Sequence, residues 1–250
     1  MKLAKFEGKP EIFYSIQGEG KTMGRPSVFV RCSLCNLHCI WCDTDYTWNW
    51  KGTRFLHLRD KEPDYSKYDK ADFIIELSPP EVRELVLSFH CKNVILTGGE
   101  PLLQQIELID LMQLLQNADS GFRFEVETNG TLLPKPEFDK LVHQYNVCPK
   151  LQNAGMGQKK RERPAVFDFF SKNEKAVFKF VVATKEDVEE ILTLVSKHGL
   201  CPEKIYLMPE GISSENLRQK QIWLVEICKK YNFNFTDRLH IHLFGAKRGV

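Results

Sequence analysis

Cys35-Asn36-Leu37-His38-Cys39-Ile40-Trp41-Cys42 places three thiols within eight residues near the start of the chain. Each is close enough to its neighbour to face a common centre, and three thiolates from one short loop suit three irons of a 4Fe-4S cluster. A closed electron-transfer cluster takes four cysteines, whereas here the run stops at Asp43. The fourth iron is left without a protein ligand and open to chemistry. Cys32 allows a second reading, in which Cys32-x2-Cys35 and Cys39-x2-Cys42 form the two knuckles of a zinc-binding interaction module. Structural zinc knuckles are usually separated by about a dozen or more residues, and only three intervene here. The spacing therefore favours the cluster.

Upstream, Ser27-Val28-Phe29-Val30-Arg31-Cys32 alternates like a strand feeding the cysteine loop. Cys32 then reads as a buried free thiol, since unpaired cysteine behaves as a small hydrophobe. Cys91, Cys148, Cys201 and Cys228 lack pair spacing and read the same way.

Downstream, residues 47–72 are rich in aromatic, Lys, Asp and Pro residues without a sustained period, which predicts an insertion or long loop. Ser78-Pro79-Pro80-Glu81 combines an N-cap serine, proline at the first helical position and a capping-box glutamate, so a helix starts there. A short strand is expected at 94–97, a helix over 102–118 and a strand over 122–128. Next come a helix over 136–145, a strand at 146–148, a strand over 176–183 and a helix over 185–198. A strand at 205–208, a helix over 214–231 and a last strand around 239–244 complete the pattern. Strand alternating with helix predicts an α/β fold of parallel βα units, as an open sheet or a full or partial TIM-like barrel. Such folds bind ligands at the carboxyl ends of the strands. No internal repeat, low-complexity segment or domain boundary is evident, so one domain is expected over 1–250.

Composition narrows the class. The chain has 250 residues, 42% hydrophobic and 27% charged, with a net charge of +2, which is ordinary for a soluble enzyme. That charge predicts no nucleic-acid partner. The one basic cluster, Lys159-Lys160-Arg161 with Arg163, is broken by Glu162 and reads as a solvated loop. Residues 1–10 lack the apolar core of a signal peptide, and no later stretch approaches a membrane span. A cytoplasmic location is expected, where eight cysteines argue for metal ligation and free thiols rather than disulfides.

Four further features sit where a βα fold would place its site. Thr97-Gly98-Gly99-Glu100-Pro101 follows a strand and precedes a helix, and its glycines let backbone approach a ligand. In Phe122-Arg123-Phe124-Glu125-Val126-Glu127-Thr128, the charged residues share one face. That face is either a half-exposed surface or the polar lumen of a barrel, and Lys179, between Phe178 and Phe180, poses the same choice. Cys148-Pro149-Lys150 offers a cation beyond a strand, against the plainer reading of a surface lysine. Met208-Pro209-Glu210-Gly211 ends a strand in a turn, where the methionine could pack on an adenine ring or simply fill the core.

The cysteine loop resembles that of the radical S-adenosylmethionine (SAM) superfamily, and Gly98-Gly99-Glu100 resembles its GGE motif, which contacts the SAM amino group. In that superfamily, SAM chelates the open iron and is cleaved to a 5'-deoxyadenosyl radical. The flanking residues are more specific. The run from Glu11 through Gln17-Gly18-Glu19-Gly20, then Gly24-Arg25-Pro26, Phe29-Val30-Arg31, Cys39-Ile40-Trp41-Cys42-Asp43-Thr44-Asp45, Glu127-Thr128-Asn129-Gly130 and the ending Gly245-Ala246-Lys247-Arg248-Gly249-Val250 resemble the 7-carboxy-7-deazaguanine synthase family.

The resemblance implies a carbon-nitrogen lyase that depends on a 4Fe-4S cluster, SAM and Mg2+. Its reaction converts 6-carboxy-5,6,7,8-tetrahydropterin to 7-carboxy-7-deazaguanine with loss of ammonia, toward queuosine and related bases. It implies Cys35, Cys39 and Cys42 on the cluster and Thr44 on magnesium. Trp41, Cys42, Asp43, Gly99, Cys148, Pro149, Lys150, Met208, Pro209 and Glu210 would hold SAM. Ile16, Gln17, Gly18, Arg31, Thr97 and the carboxylate of Val250 would line the substrate pocket, with Arg31 as a planar donor fork for the pterin carboxylate. It further implies a flavodoxin or ferredoxin as reductant and a homodimer. The family often has serine where Cys148 stands, and the 47–72 stretch is longer than in compact members. The closest rival is another radical SAM enzyme, such as an activase that makes a glycyl radical on a partner protein.

Overall fold

The computed structural model describes residues 1–250, and its strands form one eleven-stranded sheet. Strands β1 (Lys2–Phe6), β2 (Lys9–Pro10) and β3 (Ile12–Ile16) lead into β4 (Pro26–Cys32), and β5 (Ile74–Glu76) returns to pair with β1. Pairings in this part are antiparallel. From β4 onward, β6 (Asn93–Gly98), β7 (Arg123–Thr128), β8 (Gln144–Val147), β9 (Ala176–Val182), β10 (Ile205–Pro209) and β11 (Asn234–Phe235) follow side by side and parallel. The two ends of the sheet do not pair with each other, which makes the expected barrel a partial one.

Between the strands run α1 (Lys70–Phe73), α2 (Pro79–Leu87), α3 (Gln105–Ala118), α4 (Pro136–Leu141), α5 (Gln158–Arg161), α6 (Pro164–Lys172), α7 (Lys185–His198), α8 (Ser214–Tyr231) and α9 (Leu239–Phe244). Local chemistry explains several starts. Ser78 and Glu81 form the expected capping box of α2, Thr184 and Asp187 form one for α7, and the Ser213 side chain caps α8. None of the helices is long and apolar enough to cross a membrane.

Side-chain alternation gives the sheet two unlike faces. Phe124 and Val126 of β7, with Phe178, Phe180 and Val182 of β9, pack into the apolar core beside Leu108, Leu111 and Leu115 of α3 and Ile191 of α7. Glu125, Asn146 and Lys179 point the other way and are also buried. The polar face is therefore an enclosed lumen, which resolves the choice posed by β7 and Lys179.

Three expectations need correction. The 239–244 segment is helix α9, because its Leu-His-Ile-His-Leu alternation imitates a strand while Ile241 alone is buried; the last strand is the short β11 before it. Helix α4 ends at Leu141 because Val142 turns extended and enters the core, so β8 begins at Gln144. The basic cluster read as a solvated loop instead holds α5, with Arg161 buried and paired to Glu190, and leads into α6, which is opened by Pro164 and buries Val166, Phe167 and Phe170.

Candidate active site at the strand ends

A cavity of about 300 Å³ opens at the carboxyl ends of the parallel strands. Cys35, Cys39 and Cys42 line it, together with Trp41, Asp43, Thr44, Gly99, Cys148, Lys150, Met208 and Glu210. Ile16, Gln17, Gly18, Arg31, Thr97 and Val250 line it as well, so these sequence-selected residues converge from across the chain. Pro149 and Pro209 do not reach the lining, and neither does Glu100. Cys32 is fully buried on β4 away from the cavity, which removes it from the proposed zinc knuckle. No three thiols, imidazoles or carboxylates converge tightly enough to enclose a single ion. A cubane spreads its ligands wider than one ion does, so three separate thiols around a shared cavity match a cluster donor set.

The cysteine loop is held by close backbone packing. Gly98 and Gly99 lie so near it that a β-carbon would fall 2.0 Å from the carbonyl oxygen of Cys32 or Leu34, respectively. Gly98 also has φ +125°, outside the range of ordinary side-chain residues. Glu100 is fully buried, and its carboxylate accepts hydrogen bonds from Leu102 N (3.0 Å), Thr128 Oγ1 (2.9 Å) and Asn129 N (2.7 Å). It is thus spent tying two strand-end loops together. Asn129 reaches onward, donating to Asn36 Oδ1 at 2.8 Å and approaching Cys35 Sγ at 3.9 Å.

Outside the loop, residues 47–72 form a clasp. Leu58 N donates to Ile40 O at 2.7 Å, the His57 ring lies 3.0 Å from Cys42 O, and Phe55 stacks on His38 at 3.4 Å. Buried Asp45 accepts from Tyr68 at 3.1 Å and also from Tyr65, anchoring the returning arm of the segment.

With the thiols protonated, burial pushes Cys32 and Cys35 up to about 12 and raises Cys39 and Cys42 as well. Free thiolates would be costly in this apolar setting, whereas a metal stabilises that form. Lys150 is drawn down by burial but raised overall by the thiols around it. Its Nζ lies 3.2 Å from Cys148 Sγ and 5.6 Å from the Trp41 ring centre.

Two charge networks line the cavity. In one, Lys179 Nζ meets Glu19 at 2.6 Å and Glu127 at 2.7 Å, while Arg238 joins Glu19 at 3.0 Å to Asp43. Burial favours neutral Glu19, yet Lys179, Arg238 and His240 hold its carboxyl far below the usual range. In the other, Glu11 accepts from Arg31 Nε at 2.9 Å and Arg248 Nη2 at 2.6 Å. Sequence reasoning did not single out Glu11, Arg238 or Arg248 as site residues. Arg238 stands far from Asp43 in the chain, and no local motif marks such a pair.

Beside the second network, Phe13 and Phe29 stack at 5.0 Å with nearly parallel rings and line the cavity. Gly18 packs against His240, where a β-carbon would fall 2.1 Å from Nδ1.

Comparison with known proteins agrees with this geometry. The radical SAM superfamily pattern matches residues 30–152. A 7-carboxy-7-deazaguanine synthase from Pyrobaculum aerophilum is 36% identical over 243 residues, covering 96% of this chain and 95% of that protein. Those of Rhodopirellula baltica and Clostridium acetobutylicum are each 32% identical, covering 96% of this chain and 87% and 97% of theirs. The crystal structure of QueE from Escherichia coli superposes with a TM-score of 0.63 at 25% identity, over 92% of both chains. On sequence, fold and site together, the chain belongs to the 7-carboxy-7-deazaguanine synthase family of radical SAM enzymes.

Proposed function

We propose that this protein catalyses the ring contraction of 6-carboxy-5,6,7,8-tetrahydropterin to 7-carboxy-7-deazaguanine with release of ammonia. The observation that carries this reading is one cavity holding both the three thiols of the cysteine loop and an arginine fork beside an aromatic slab. Radical SAM membership implies a 4Fe-4S cluster and SAM. When bound, they supply the radical that takes hydrogen from the substrate.

The chain's own residues bind and orient. Cys35, Cys39 and Cys42 would hold the cluster. Trp41, Asp43, Gly99, Cys148, Lys150 and the Met208–Glu210 turn would hold SAM, with Pro149 and Pro209 shaping turns rather than touching it. Because the Glu100 carboxylate is spent internally, the glycine backbone of its loop is the part left to meet SAM. Arg31 bonds Glu11 through Nε and keeps both Nη groups without a protein acceptor, a fork suited to a carboxylate. The Phe13 and Phe29 rings offer a flat wall to a bicyclic ring. Ile16, Gln17, Gly18, Thr97 and Val250 would complete the pocket. Thr44, with Oγ1 3.5 Å from Cys42 Sγ, would place its hydroxyl on Mg2+, a hard cation that prefers oxygen.

A flavodoxin or ferredoxin would supply electrons, and the protein would act as a cytoplasmic homodimer built from a single domain over residues 1–250. The test is incubation of the reconstituted protein with reductant, SAM and the carboxypterin, followed by mass spectrometry. The deazapurine is the expected product. Its absence with an intact cluster would overturn the reading.

A further inference from the structure

The Glu11 network has more cation than anion. Glu11 is 3% exposed, and its two oxygens divide between two arginines: Oε1 takes Arg31 Nε at 2.9 Å and the Tyr46 hydroxyl at 3.1 Å, while Oε2 takes Arg248 Nη2 at 2.6 Å. Arg248 arrives from the other end of the chain and is seated between aromatic rings, 3.6 Å over Tyr46 and 4.5 Å over Phe6. Its Nη2 also donates to Lys5 O at 3.2 Å. The neighbouring acid that faces this group, Asp43, is already engaged by Arg238, and Lys247 adds a further cation to the lining.

Two observations show that the network is incomplete. Arg248 spends Nη2 on Glu11 and Lys5 O, and its Nη1 makes no protein hydrogen bond although the residue lines the cavity, while Nε is closed in and unpaired. Arg31 bonds protein through Nε alone, and its partly exposed side chain lines the same cavity with both Nη groups free of a protein acceptor. Arg31, Arg248 and Lys247 against Glu11 and the terminal carboxylate of Val250 leave a net positive charge at the wall of the cavity. Such a site takes an anion with a planar pair of oxygens.

We infer that Arg248 is the second arm of the subsite for the substrate carboxylate, and that Glu11 is a positioning residue that aligns Arg248 with Arg31. The inference rests on the proposed carboxypterin reaction and deepens it. Residues 246–250 line the cavity, so seating Arg248 on Glu11 also sets that wall. Recognition of the carboxylate and closure of the wall then share one buried ion pair.

The test is titration of the cluster- and SAM-loaded protein with 6-carboxytetrahydropterin and, in parallel, with 6-methyltetrahydropterin, which lacks the carboxylate. Arg248→Met should raise the dissociation constant for the carboxypterin roughly tenfold or more, as loss of a charge-assisted pair implies, and change that for the methylpterin less than about twofold. Arg248→Lys, which keeps the charge, should recover part of the loss. Glu11→Gln should act in the same direction, raising KM more than it lowers kcat, and the double variant should be little worse than the weaker single one, because the two residues act as one unit. Equal weakening toward both pterins would make Arg248 merely structural and overturn the inference, as would unchanged carboxypterin binding. If the unmodified protein bound no carboxypterin at all, the proposed reaction itself would fall, and this inference with it.

Discussion

Gly99 lies against Leu34 so closely that a β-carbon on it would fall 2.0 Å from the Leu34 carbonyl oxygen. That contact joins the end of β6 to the cysteine loop with no side chain between them, and Glu100 N completes it by donating to Leu34 O at 2.9 Å. The loop's position is therefore set by backbone, where nothing flexible can yield.

Gly99→Ala should accordingly displace the cysteine loop rather than merely narrow the cavity. The expected result is a protein that folds but retains well under half of the wild-type iron after reconstitution. Iron and sulfide analysis, with circular dichroism to establish folding, reads it out. Full iron content in this variant would show that the loop can shift without losing its ligands.

Lys179 is 2% exposed and neutralises Glu19 and Glu127. Lys179→Met keeps the bulk but leaves the half-buried Glu127 without its cation, while Glu19 keeps Arg238. Breaking a fully buried pair costs about 3–5 kcal/mol, and with the carboxylates partly exposed and Glu19 still held by Arg238, urea unfolding should show a loss at the low end of that range. Raising the pH cannot repair the variant, because the missing charge is fixed by the substitution.

Glu162 ties α5 to α7 by accepting from Gln158 at 2.6 Å, Lys197 at 2.5 Å and His198 at 2.8 Å. Burial would raise its pKa, but these partners lower it from 4.5 to about 2. A depressed carboxylate stabilises the fold above its unfolded value, and this contribution is lost as pH falls through the folded one. Glu162→Gln should therefore cost about 1 kcal/mol at pH 7, Lys197 being half exposed. The difference from wild type should shrink as pH falls from 4.5 toward 2. Denaturant titrations at pH 7 and pH 3 check both parts.

Thr44→Ala removes the hydroxyl beside Cys42 but none of the three thiols. Magnesium activation should weaken several-fold, since one oxygen donor of a hard cation is lost, while iron content stays at the wild-type level. Wild-type magnesium dependence in the variant would rule Thr44 out as the magnesium ligand.

Much of the fold was legible because it is written locally. Helices α7 and α8 match expectation at both ends, each opened by a side-chain cap, with Gly199 and Asn232 in left-handed conformations closing them. The alternation of β7 revealed two faces, although not which side of the chain enclosed the charged one. Where local signals were ambiguous, packing prevailed: α9 reads as a strand until Leu239 N is found donating to Gly18 O at 2.9 Å. The 47–72 stretch has no period, because what orders it is a set of aromatic and hydrogen-bond contacts to the cysteine loop.

The sequence by itself put three thiols at a spacing that suits a cluster with an open iron, and set the order of βα units that brings strand ends together. Only the tertiary structure decided which charges share the cavity. Arg238 finds Asp43, and Arg248 finds Glu11, across separations of 195 and 237 residues. Buried ions need partners wherever the chain can deliver them, and no local pattern encodes a partner that distant.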